Sequence, residues 1–168
     1  TERRARPIVR GWTAGLGWAV AAMLAVVVVI SMPQDPVPQT LDTATARSTL
    51  MTEAGSTIVE WSRSDIPAYN SVTGDVVWND ARQEGYLRLA GMPINDPDIA
   101  QYQLWIVDPD RDANPVDGGV FDVPSGVEEI IIPIDAKLDV SDPAAFAITR
   151  EQPGGVVVSN GPLLVVAA

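Results

Sequence analysis

The stretch whose residue types and spacing suggest metal chemistry is Asp108-Pro109-Asp110-Arg111-Asp112-Ala113-Asn114, where carboxylates alternate as in a calcium loop. Calcium takes oxygen ligands, and the EF-hand pattern sets Gly at the sixth position and Glu at the twelfth. Those positions here are Ala113 and Gly119, Pro109 stiffens the second, and no helical pattern flanks the run. It reads as a polar loop between strands. Asp42-Thr43-Ala44 has the order of an aspartic-protease loop, but that mechanism needs two aspartates sharing a proton. No second copy follows, so Asp42 reads as a helix cap. The chain has no His and no Cys, which removes His-based triads, cysteine nucleophiles and the usual zinc sites. Lys137, the one lysine, lacks the S-x-x-K spacing of a Ser–Lys pair. A glycosidase pair is defined by the separation of two carboxylates in space, which so many acids conceal in a sequence. The chain is therefore read as no enzyme. No catalytic, cofactor-binding or metal-binding residue is assigned, and no cofactor is expected.

The elements around this sparse chemistry say more. Arg3, Arg4, Arg6 and Arg10 precede an uncharged run from Gly11 to Gln34, whose centre, Leu16 to Ile30, is almost wholly aliphatic. About 20 apolar residues in a helix cross a bilayer core. Lys and Arg are retained on the cytoplasmic side, so the N-terminus should lie inside and everything after residue 32 outside. The competing reading is a secretory signal peptide. The exit, Ile30-Ser31-Met32-Pro33, has no small-x-small cleavage site, and Ala5-Arg6-Pro7 breaks the pattern of a twin-arginine signal after Arg3-Arg4. The sequence starts at Thr1 without an initiator Met, as expected of the rear part of a longer protein. Gly17, Ala21 and Ala25, with Gly11 and Gly15 nearby, make a small-residue face through which two such helices could pair as a homodimer.

The net charge is −11. The first ten residues carry +3, which leaves −14 on residues 11–168. Basic residues beyond the apolar run are scattered: Arg47, Arg63, Arg82, Arg88, Arg111, Lys137 and Arg150. A nucleic-acid partner needs clustered positive charge, so none is expected. Without disulfides, the outer part must be held by its apolar core.

Pro33, Pro36 and Pro38 suggest a semi-rigid stalk over Pro33–Thr40. Asp42 can then cap a short helix running to about Ala54, with Gly55 as its stop. Ala46, Leu50 and Ala54 share its apolar face, beside Met51. From Thr57 the pattern becomes short apolar runs: Thr57–Trp61, Val76–Trp78, Tyr86–Ala90, Tyr102–Val107, Val120–Val123, Ile130–Ile134, Phe146–Thr149, Val156–Val158 and Leu163–Val166. Turn residues separate them, among them Gly91-Met92-Pro93, Gly118-Gly119 and Gln152-Pro153-Gly154-Gly155. Such runs, with no room for crossover helices, predict an all-β, antiparallel β-sandwich. Leu87, Leu89, Leu104, Ile106, Phe121, Ile130, Ile132, Ile148 and Val165 should form its core, with Trp78 and Trp105 largely buried.

Four segments carry a resemblance. They are Gly74-Asp75-Val76-Val77-Trp78, Gly85-Tyr86-Leu87-Arg88-Leu89-Ala90-Gly91-Met92-Pro93, Tyr102-Gln103-Leu104-Trp105-Ile106-Val107 with Gly118-Gly119-Val120-Phe121-Asp122-Val123, and Thr149-Arg150-Glu151-Gln152-Pro153-Gly154-Gly155. In order and spacing this resembles the extracytoplasmic domain of the anti-sigma-K factor family, from about Gly74 to the C-terminus. The acidic loop ending Pro115-Val116-Asp117 is similar to a variant found in one branch of that family. The resemblance implies a single-pass inner-membrane protein that regulates an extracytoplasmic-function sigma factor. The sigma factor would be bound by a cytoplasmic part upstream of this chain. The implied partners are the lipid bilayer, the sigma factor, and site-1 and site-2 type proteases that release the cytoplasmic part. The expected division is a cytoplasmic basic flank (1–10), a transmembrane helix (11–32), a stalk with a short helix (33–56) and a periplasmic β-sandwich (57–168). The alternative is an anchored extracytoplasmic binding module, or an accessory subunit of an envelope complex.

Overall fold

The computed structural model describes residues 40–111 and 114–168. A helix, α1 (Thr40–Met51), leads into eight strands: β1 (Ser56–Glu60), β2 (Thr73–Asn79), β3 (Glu84–Ala90), β4 (Gln101–Val107), β5 (Val116–Phe121), β6 (Glu129–Pro133), β7 (Ala145–Glu151) and β8 (Val165–Ala167). They form two four-stranded antiparallel sheets, in the orders β1-β2-β3-β6 and β5-β4-β7-β8.

Alternation along the strands explains why the sheets meet face to face. Successive side chains of a strand point to opposite faces. Val76 and Trp78 of β2, and Leu87 and Leu89 of β3, turn inward from the first sheet. Tyr102, Leu104 and Ile106 of β4, and Phe146 and Ile148 of β7, meet them from the second. The Trp78 and Phe146 rings lie 6.5 Å apart, and Tyr102 stacks on Phe121 at 5.6 Å. One backbone position admits only glycine. Gly74 has φ +133°, and a Cβ there would lie 2.0 Å from the Arg88 carbonyl oxygen, so any side chain would prise β2 from β3.

The outward side chains of the first sheet receive α1. Leu50 is fully buried against Val77 and Tyr86, with Ala46, Met51 and Ile131 packed around them. The helix begins at Thr40 and ends at Met51, so two expectations move. Asp42 lies inside the first turn, where a negative charge complements the helix dipole, and does not precede the helix as its cap. Ala54 falls in the following turn and is exposed, outside the apolar face assigned to it. Gly55, at φ +83°, sits in the left-handed conformation expected of the stop.

All nine expected core residues contact the core, but Ile130 and Ile132 are only half-buried because β6 is an edge strand. Trp78 and Trp105 are both buried. Trp105, however, lies on the outer face of the second sheet, since β4 alternates and Leu104 and Ile106 take the inward places. The expected turn at Gly118-Gly119 is instead part of β5, which shifts register opposite Leu104/Trp105. At Gly118 the Leu104 side chain occupies the space of a Cβ. Val156–Val158 is not a strand, and Val157 is 92% exposed. Among the described residues, no helix is long and apolar enough to cross a membrane. The expected spanning segment, residues 11–32, its small-residue face and the stalk up to residue 39 lie outside the described residues.

Candidate functional site at the docked helix and the outer sheet faces

The outer face of the first sheet holds a chain of charges. Asp75 of β2 is buried, and its two carboxylate oxygens serve different elements. Oδ1 accepts from Nη2 of Arg47 on α1, which is itself buried. Oδ2 accepts from Arg88 of β3, through Nε at 2.9 Å and Nη2 at 2.5 Å. Arg88 Nη1 continues to Glu129 Oε2 of β6 at 3.0 Å. Two hydrogen bonds from one guanidinium to one carboxylate hold orientation as well as charge, and Arg88 is held more firmly protonated than usual, chiefly by Asp75. Asp75 and Arg88 face each other in the β2–β3 register. Arg47 arrives from 28 residues away in sequence.

The turn after α1 is fastened separately. The Asn79 amide donates to Ala54 O at 3.2 Å and to Ser56 Oγ at 3.0 Å, and Ser56 Oγ donates to Leu50 O at 2.6 Å. Arg82 bridges Glu53 and Glu84 at 2.6 Å each, on the exposed surface. Beneath the helix the Tyr86 hydroxyl donates to Glu84 Oε1 at 2.8 Å. Burial and then that bond push its pKa up to about 12.

The outer face of the second sheet carries a different device. The Gln103 side-chain amide is buried and holds both backbone groups of Val156, donating to its carbonyl and accepting from its N–H, each at 2.9 Å. Gln101 Oε1 accepts from Gly154 N at 2.8 Å. A strand run is thus tied across the sheet by side chains instead of pairing with it. Under this loop, Trp105 Nε1 donates to Thr149 Oγ1 at 2.8 Å. A hollow of about 220 Å³ opens over Trp105, walled by Val107, Ala147, Val157, Val158 and Leu163.

The residues considered for chemistry are not drawn together. Asp108 is buried and works as a structural acceptor, for Asp110 N at 3.1 Å and Ser141 N at 2.9 Å. Asp117 Oδ1 accepts from Gly119 N at 2.8 Å. Asp112 and Ala113 lie outside the described residues. Among those described, no group of three or more acids is placed to hold a metal ion. Lys137 pairs with Asp135 at the surface, and Asp42 is exposed in the first turn of α1.

The four segments singled out in the sequence converge on these two faces. Asp75 and Arg88 come from the first two, Gln103 and Trp105 from the third, and Thr149 and Gly154 from the fourth. The family model "Anti-sigma-K factor rskA, C-terminal" matches residues 17–163. The chain belongs to this anti-sigma-K factor family. No curated protein and no solved structure matches it. Within the anti-sigma-K factor domain, the segments do more than fill the core. They fasten a helix to one sheet and a loop to the other. Arg47 was not singled out in the sequence as a site residue. The signal for it was a lone arginine three residues before the apolar Leu50 on a short helix.

Proposed function

We propose that this chain is the membrane anchor and outer regulatory domain of an anti-sigma factor that controls an extracytoplasmic-function sigma factor. The observation that carries the reading is the family match over residues 17–163, which takes in most of the apolar run and of the β-domain. In this reading Arg3, Arg4, Arg6 and Arg10 stay in the cytoplasm, residues 11–32 cross the inner membrane, and the β-domain lies outside. The sigma factor is held by a cytoplasmic part upstream. The outer domain sets when a site-1 type protease reaches the chain near the membrane, and a site-2 type cut then frees the cytoplasmic part. The docked helix supports this division of labour, because α1 is the element that follows the stalk. A protease needs an extended, accessible segment, and a helix packed on a sheet does not offer one.

In a strain carrying the intact gene, removing residues 40–168 should change transcription from promoters of the partner sigma factor. Unchanged transcription from every such promoter contradicts the reading. The hollow over Trp105 supports a second reading, an anchored binding module, in which the outer domain retains an apolar ligand and no sigma factor responds to its loss.

A further inference from the structure

We propose that α1 is a releasable strap: it leaves the first sheet and unravels in one step while both sheets stay folded, and the Arg47–Asp75 pair sets how often this happens. The proposal rests on the reading above, that the outer domain governs access to the membrane-proximal segment.

Three observations carry it. The first is that α1 does not stand alone. It has 12 residues with the sequence TLDTATARSTLM, and isolated helices below about 12–15 residues are marginal in water even when rich in alanine. Threonine is a poor helix former. Ser48 Oγ and Thr49 Oγ1 donate back to the carbonyls of Ala44 and Thr45, at 2.7 Å and 3.0 Å, a bond that weakens helices slightly. Undocking and unravelling are therefore one event.

The second is that the dock is narrow. Leu50 is its fully buried apolar side chain, and Arg47 is its buried charge. Arg47 Nε is also buried without a hydrogen-bond partner, which costs part of what the pair contributes. The Glu53–Arg82 bridge beyond the helix is exposed and adds little.

The third is that the sheet is prepared for the helix to leave. Losing one partner of a buried ion pair usually strands the other charge. Asp75 is not stranded, because Arg88 holds its other oxygen with two hydrogen bonds and is itself held by Glu129. Arg47 returns to water with its charge solvated. The turn that would serve as pivot keeps its own fastening, through Asn79 to Ala54 and Ser56.

The test is hydrogen exchange on the whole chain, residues 1–168, in mild detergent, comparing wild type with Arg47→Ala and with Arg82→Ala as control. Arg47→Ala should speed exchange in peptides covering residues 44–51 at least tenfold, and leave peptides from β2 and β3 within twofold of wild type. Arg82→Ala should stay within twofold throughout. Equal acceleration of α1 and the strands, or none in α1, overturns the strap. The same variant in cells separates it from the functional reading. If α1 is freed in detergent but cleavage of the anchored chain stays at the wild-type level, the strap stands and the gating role falls.

Discussion

At the scale of single residues, the outer faces are governed by polar groups with nowhere else to bond. Gln103 is the plainest case, a buried amide satisfied by both backbone groups of Val156. Gln103→Leu should leave those two groups unpaired and cost about 1–3 kcal/mol. Denaturant unfolding should show the loss, and limited proteolysis should show the 154–163 segment opening before the sheets. Tyr86 gives a pH dependence. Its folded pKa is pushed up to about 12, above the ordinary value of about 10 for tyrosine. The neutral phenol is favoured by folding, so this contribution is fully present below about pH 10 and is lost as pH rises through 12. Tyr102 is shifted in the same direction by burial. Unfolding midpoints should fall between pH 10 and 12, and Tyr86→Phe should reduce the slope. An identical slope in the variant contradicts the assignment. None of these partnerships was visible in the sequence. Gln103 and Val156 are 53 residues apart, and a glutamine between two apolar residues of a strand signals an outward position without naming what it holds.

At the scale of elements, the strands were legible and their surroundings were not. Alternation located the central strands, because Leu87 and Leu89, or Leu104 and Ile106, must share a face if one side is buried. It misled at Val156–Val158, an apolar run with strand composition. There the adjacent outer face of the second sheet offers side-chain amides in place of a backbone edge. It set Trp105 opposite Leu104 and Ile106 but was silent about the loop that covers that outer face and buries the ring. The helix was legible as a helix, but its dock was not, since Arg47 looks like a surface charge until Asp75 is placed beneath it. Leu50→Ala removes the apolar half of that dock. It should cost about 2–3 kcal/mol, the lower part of the range for Leu→Ala in cores, because the site is at the edge of the domain. The loss should appear as exchange in residues 44–51 with the β2–β3 amides protected. Equal loss of protection in the strands would show that α1 is part of the cooperative fold.

At the scale of the whole molecule, a charge asymmetry along the chain accompanies the fold. The charge of −14 over residues 11–168 opposes no orientation set by arginines, since Asp and Glu contribute little to topology. In the proposed topology, Arg3, Arg4, Arg6 and Arg10 carry the orientation. The β-domain has its own apolar core between the two sheets, so replacing those four arginines should loosen topology without changing its unfolding. The most direct test of the central claim is protease protection in spheroplasts carrying a tag at Thr1. External protease should remove the β-domain, cutting within Pro33–Thr40, while the tag stays protected. A β-domain that resists external protease until the membrane is broken, and is then found in the cytoplasm, contradicts the anchored topology and the regulatory role built on it.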